Sequence, residues 1–141
     1  MTGPWAATRP PATARAGRGP RRILMAEDEA LAAEVIEEIL IEAGFEVLSA
    51  PDGQAALDLV QAGAGFDLLL TDLRMPRMDG RTLIGRLRAL RPEVPVVVMT
   101  GFPPPGGAAG LHAGPGSLTL MTKPIEMARL LDAVRAHLGE G

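Results

Sequence analysis

Short apolar runs alternate with longer stretches of helical periodicity along most of this chain. Arg22 to Ala26, Glu46 to Ala50, Leu68 to Thr71, Val96 to Thr100 and Leu118 to Met121 read as strands. The third is apolar enough to be buried on both faces. A helix is expected from about Glu29 to Ala43, with Leu31, Val35, Ile36, Ile39 and Leu40 on a core face and Glu34, Glu37, Glu38 and Glu42 opposite. Gly44 is placed to end it. Pro51-Asp52-Gly53 reads as a turn and Gln54 to about Gln61 as a short helix. Met75 to Gly80 is a loop, and Leu83, Ile84, Leu87 and Leu90 form one face of a third helix that stops before Pro92. The last helix, about Glu126 to Leu138, buries Met127, Leu130, Leu131, Val134 and Leu138. Strand-helix alternation implies right-handed crossovers and a parallel sheet covered on both faces, so the fold class is doubly wound α/β.

One segment breaks the rhythm. Where a helix is due between the fourth and fifth strands, the chain runs from Phe102 to Gly116 with Pro103, Pro104, Pro105, Pro115 and several glycines. No stable helix is expected there.

At 141 residues, 47% of them hydrophobic, the chain has room for one domain with a proper core. Its apolar runs are shorter than the roughly 20 residues that a membrane helix requires, and its first residues lack a signal-type apolar stretch, so a cytoplasmic protein is expected. Zero cysteines exclude disulfides, thiolate metal sites and cysteine nucleophiles. Residues 1–22 hold five arginines and no acid, which leaves nine basic against seventeen acidic side chains in the remainder. So acidic a body is no nucleic-acid binder. Residues 1–21, rich in Arg, Pro and Ala, read as a disordered tail, and residues 22–139 as the folded unit. The tail is transit-peptide-like in composition, but its prolines oppose an amphipathic helix.

In a doubly wound sheet the ligand crevice lies beyond the carboxyl ends of the strands. Glu27 and Asp28 follow the first strand, Asp72 the third and Thr100 the fourth, with Lys123 before Pro124. Three converging carboxylates repel unless they share a cation, and a hard, oxygen-seeking ion, most simply Mg²⁺, answers that repulsion. An acid pair alone would mean little. Three acids with a hydroxyl and an amine at the same edge describe a site for a divalent metal and a phosphoryl group.

At these residues the sequence resembles the CheY-like receiver domains of two-component response regulators. The resemblance runs from Ile23 to Leu138, through Ile-Leu-Met-Ala-Glu27-Asp28, Leu-Leu-Leu-Thr71-Asp72-Leu-Arg-Met-Pro76-Arg-Met-Asp-Gly80, Val-Met-Thr100-Gly101 and Lys123-Pro124. It implies a five-stranded sheet of flavodoxin-like order 2-1-3-4-5 with helix 4 short or missing. It implies Asp72 as phosphoacceptor, Thr100 and Lys123 as its partners on the phosphoryl group, and a Mg²⁺ ion held by Asp28, Asp72 and the backbone carbonyl of Arg74, with Glu27 acting mainly through water. Lys123-Pro124 would be a cis peptide, and Arg74 and Phe102 occupy places that tune dephosphorylation. His112 and His137 are expected to be exposed and outside the chemistry.

Many members of that family carry an aromatic residue where this chain has Leu120. The glycine-proline segment is therefore expected to order on phosphorylation, replacing a rotamer switch. This break is similar to that of a subset of stand-alone receivers, some of which regulate protein turnover in bacterial cell-cycle control. With the last helix ending near the C-terminus, no output domain is expected. The implied partners are a sensor histidine kinase or histidine phosphotransfer protein and a downstream protein, with no membrane, and a monomer or weak dimer as the assembly. The protein would turn over no external metabolite. Two rivals stand beside this reading. One is a phosphorylation-independent adaptor that retains the site; the other is a Mg²⁺-dependent phosphohydrolase, which should carry an acid two residues beyond Asp72, where Arg74 stands.

Overall fold

In a computed structural model of the protein, residues 20–107, 111 and 116–139 are described. The tail expected over residues 1–21 lies outside them except for Pro20 and Arg21, as do residues 108–110 and 112–115 of the segment expected to change order, His112 among them. Among the described residues five strands and four helices follow in sequence: β1 (Arg22–Ala26), α1 (Ala30–Glu42), β2 (Glu46–Ala50), α2 (Gly53–Gln61), β3 (Leu68–Asp72), α3 (Gly80–Leu90), β4 (Val96–Thr100), β5 (Leu118–Thr122) and α4 (Met127–Leu138). All strands pair in parallel, in the order β2-β1-β3-β4-β5. β3 and β5 run one residue past their expected ends, to Asp72 and Thr122.

The period of two along each strand divides the core. Ile23, Met25, Leu68, Leu70, Val97 and Met99 pack with Ile36 and Leu40 of α1 and Leu130, Val134 and Leu138 of α4. Leu24, Leu48, Leu69, Val96 and Val98 face the opposite way, onto Ala56, Leu57 and Val60 of α2 and Leu83, Ile84 and Leu87 of α3. Each fully buried Leu, Ile or Val contributes roughly 1.5–3 kcal/mol. The chain reverses direction across the sheet between β1 and β3, which opens a crevice at their carboxyl ends.

Two expectations are corrected. Leu31 and Val35 of α1 are 74% and 51% exposed, not core. The helix seats only its Ile36 and Leu40 edge fully on the sheet, and at about 100° per residue Val35 lies roughly 100° and Leu31 roughly 140° round the helix from Ile36. His137 is only partly exposed: its two ring nitrogens meet Ser117 Oγ at 3.0 Å and Thr119 Oγ1 at 2.7 Å, tying α4 to β5. Burial holds its pKa below the usual histidine value.

Among the described residues, no α-helix stands between β4 and β5. Leu111, buried against the α2 and α3 face, anchors that crossover. Arg88 of α3, only 5% exposed, donates to the carbonyls of Pro92 at 3.1 Å and Ser117 at 3.0 Å. Its guanidinium thus holds the end of the crossover where β5 begins.

Candidate functional site

Glu27 follows β1 directly and its backbone N–H donates to Ala50 O at 3.1 Å, an extension of the β1-β2 ladder that fixes where its side chain starts. Its Oε2 accepts from the Glu29 N–H at 3.1 Å. Asp72 ends β3, opposite Met99, so Thr100 sits one residue further along the neighbouring strand. Lys123 follows β5, its N–H bonded to Thr100 O at 2.8 Å, and the Lys123-Pro124 bond is cis as the resemblance implies.

These elements bring the expected charged residues together. One carboxylate oxygen from each of Glu27, Asp28 and Asp72 lies within 4.8 Å of the others. Lys123 Nζ stands 2.6 Å from Asp72 Oδ2 and 3.6 Å from Glu27 Oε1. The second oxygen of Asp72 accepts from the Arg74 N–H at 3.2 Å. Thr100 is fully buried, and its hydroxyl oxygen accepts from the Phe102 N–H at 3.1 Å, which leaves its own proton free to donate. Arg74 lies in the loop beyond β3, its guanidinium 4.0 Å from the centre of the exposed Phe102 ring.

Burial pushes the Glu27 carboxyl above its usual value; the Glu29 N–H and Lys123 oppose this, while Asp72 and Asp28 add to it. Burial works against the Lys123 ammonium, but the hydrogen bond and charge of Asp72, then of Glu27, outweigh it and hold its pKa above the usual lysine value.

Three carboxylates face one ammonium, so two negative charges remain uncompensated. Glu27 Oε1 is buried without a hydrogen-bond partner among the described residues. A crowded, all-oxygen donor set with an unsatisfied carboxylate fits a small hard divalent cation.

Sequence reading found every charged member of this cluster, because each follows an apolar strand. It missed Asp52 and Arg77, which join the loops beside the site, and Arg88. Pro51-Asp52-Gly53 reads only as a turn, and nothing in the sequence pattern marks the two arginines as bonded.

A family profile described as the response regulator receiver domain matches residues 23–135. The chain is 38% identical over 112 residues to a response regulator receiver protein of Anaeromyxobacter sp. strain Fw109-5, covering 79% of this chain and 46% of that one. It is 34% identical over 116 residues to the transcriptional regulatory protein PdtaR of Mycobacterium tuberculosis, covering 82% and 55%. The chain therefore spans about half the length of these curated relatives. Among solved structures, a response regulator receiver protein from Sinorhizobium medicae is 30% identical with a TM-score of 0.76, covering 85% of this chain and 95% of that one. A five-stranded parallel sheet with its acidic cluster at the β1-β3 switch point, and a family match that takes in all five strands, leave one conclusion: the chain belongs to the response regulator receiver domains of two-component signalling.

Proposed function

We propose that Asp72 accepts a phosphoryl group from a phosphohistidine on a sensor histidine kinase or histidine phosphotransfer protein, and that the aspartyl phosphate changes affinity for a downstream protein. The observation that carries this is the Lys123 ammonium 2.6 Å from a carboxylate that also stands within an acidic, oxygen-only cluster. A structural ion pair needs no second and third acid crowded against it.

Glu27, Asp28, Asp72 and the Arg74 carbonyl would hold Mg²⁺, which when bound neutralises charge on the phosphoryl oxygens. Asp72 attacks phosphorus through a carboxylate oxygen as the bond to the imidazole nitrogen breaks. Negative charge moves from carboxylate to phosphoryl oxygens, and the Lys123 ammonium follows it over a short distance. The Thr100 proton, not used by its present contact, donates to a phosphoryl oxygen. Phosphoryl transfer asks little more of a protein than position and charge.

Arg74, where a phosphohydrolase would need its acid, lies against Phe102 and offers no proton to a leaving group. Residues 22–139 form the unit to which this function belongs. Incubation with acetyl phosphate and Mg²⁺ followed by intact mass tests the reading. One phosphoryl adduct on the wild-type chain and none on Asp72→Ala is the expected result; no adduct on either supports the phosphorylation-independent adaptor. Sustained turnover of small phosphomonoesters supports a hydrolase.

A further inference from the structure

The loop from Leu73 to Asp79 carries the backbone beside the phosphoacceptor, and its middle is folded in an uncommon way. Met78 N–H donates to Pro76 O at 2.7 Å, closing a three-residue turn centred on Arg77. Arg77 has φ of 67°, in the left-handed region where glycine or asparagine is the usual occupant. An arginine there has to gain something from its side chain. Nε and Nη2 both donate to Asp52 Oδ2, the first at 2.9 Å. Asp52 is 2% exposed and its other oxygen caps α2, accepting from the Ala55 N–H at 2.8 Å. The Ala55 and Arg77 donors together, against burial, hold its carboxyl below the usual aspartate value. Beside this pair the two turns touch through their backbones: a Cβ added to Gly53 would lie 2.4 Å from Met78 O.

We infer that Arg77 and Asp52 form a brace that holds the Leu73–Asp79 loop in its site-competent shape before any ligand arrives. Both are positioning residues, since neither touches the acidic cluster. The inference rests on the proposed phosphoacceptor site and deepens it by naming what preorganises the loop that carries Arg74. A pair with one side chain 68% exposed adds little to global stability, so its effect falls on the local order of the loop. If the brace is absent, ligand binding must order the loop itself, and affinity falls by that amount.

The test compares the full wild-type chain with Arg77→Gly, Asp52→Asn and the double variant. Glycine accepts the positive φ, and asparagine retains a capping oxygen, so both variants keep the fold. Three quantities are read: amide exchange of residues 73–80 in metal-free protein, the Mg²⁺ dissociation constant by calorimetry, and the urea midpoint. Each single variant is expected to speed loop exchange and weaken Mg²⁺ by at least about fivefold, with little change in midpoint. The double variant should lose no more than either single one, because the two substitutions break one contact. Loop exchange and Mg²⁺ affinity within about twofold of wild type in Arg77→Gly would overturn the brace, as would losses that simply track the urea midpoint in all variants. A wild-type chain that takes no phosphoryl group overturns the proposed phosphotransfer instead. The metal-free exchange comparison still decides the brace in that case.

Discussion

Gly80 makes the closest backbone approach near the site, and replacing it with alanine perturbs both stability and chemistry. A Cβ there would stand 2.1 Å from the Asp72 carbonyl oxygen, 2.9 Å from Leu73 Cα and 3.0 Å from Asp72 C. Real Cβ contacts essentially never fall below 3.0 Å, so α3 and the end of β3 must separate. The Gly80 N–H to Leu73 O bond, 2.9 Å, lies across that separation. Overpacking costs about 1–3 kcal/mol and the strained hydrogen bond about 1 kcal/mol more, for a loss of about 2–4 kcal/mol. Because Asp72 itself is displaced, its phosphorylation rate should fall by about 10²-fold. Gly85, exposed in the same helix with nothing within 4 Å of an added Cβ, is the matched control. Gly85→Ala should gain about 0.5–1 kcal/mol through helix propensity and leave phosphorylation unchanged. Urea denaturation followed by circular dichroism suits the comparison, since the one tryptophan, Trp5, lies outside the described residues. Intact mass during acetyl phosphate treatment gives the rate. Gly80→Ala matching Gly85→Ala in midpoint and rate would refute the claimed contact.

Glu27 is the acid whose carboxyl burial raises above 4.5, so in the folded metal-free chain this group keeps its proton to a higher pH than in the unfolded one. Its contribution to stability therefore falls as pH rises from 4.5 through the raised value. Glu27→Gln should stabilise the metal-free protein at neutral pH by about 1 kcal/mol, flatten its stability between pH 4 and 7 and weaken Mg²⁺ binding, as urea titrations at several pH values and calorimetry would show. Lys123→Met should slow acetyl phosphate labelling of Asp72 by about 10²-fold while costing only about 1 kcal/mol, because the ammonium is partly exposed. Arg88→Met should cost about 1–3 kcal/mol by leaving the Pro92 and Ser117 carbonyls without their donor, with faster amide exchange confined to residues 116–122.

The strands were legible because each is a short apolar run, and the charged cluster because its members follow those runs. Helix bounds agree to within a residue or so where a glycine, proline or cap stands at the end, as at Asp52 and Pro92. What the sequence hid depends on tertiary placement. Leu31 and Val35 share the helical spacing of true core positions, and only the seating of α1 on the sheet separates them. Arg22, read only as part of a strand, is 1% exposed, with its guanidinium on Glu46 Oε1 and Gly65 O. His137 sits at a helix end, and its two hydroxyl partners come from a strand edge that no local pattern reveals. The Arg77-Asp52 contact spans 25 positions and joins two turns, where neither period nor propensity carries information.

The central claim is that the Asp72 carboxylate itself receives the phosphoryl group. Borohydride reduces an acyl phosphate to an alcohol, converting the labelled aspartate to homoserine, and peptide mass spectrometry locates the product. After acetyl phosphate and Mg²⁺ treatment, homoserine at position 72 is the predicted result. Reduction product at another residue, or none in a chain that binds Mg²⁺, would contradict it.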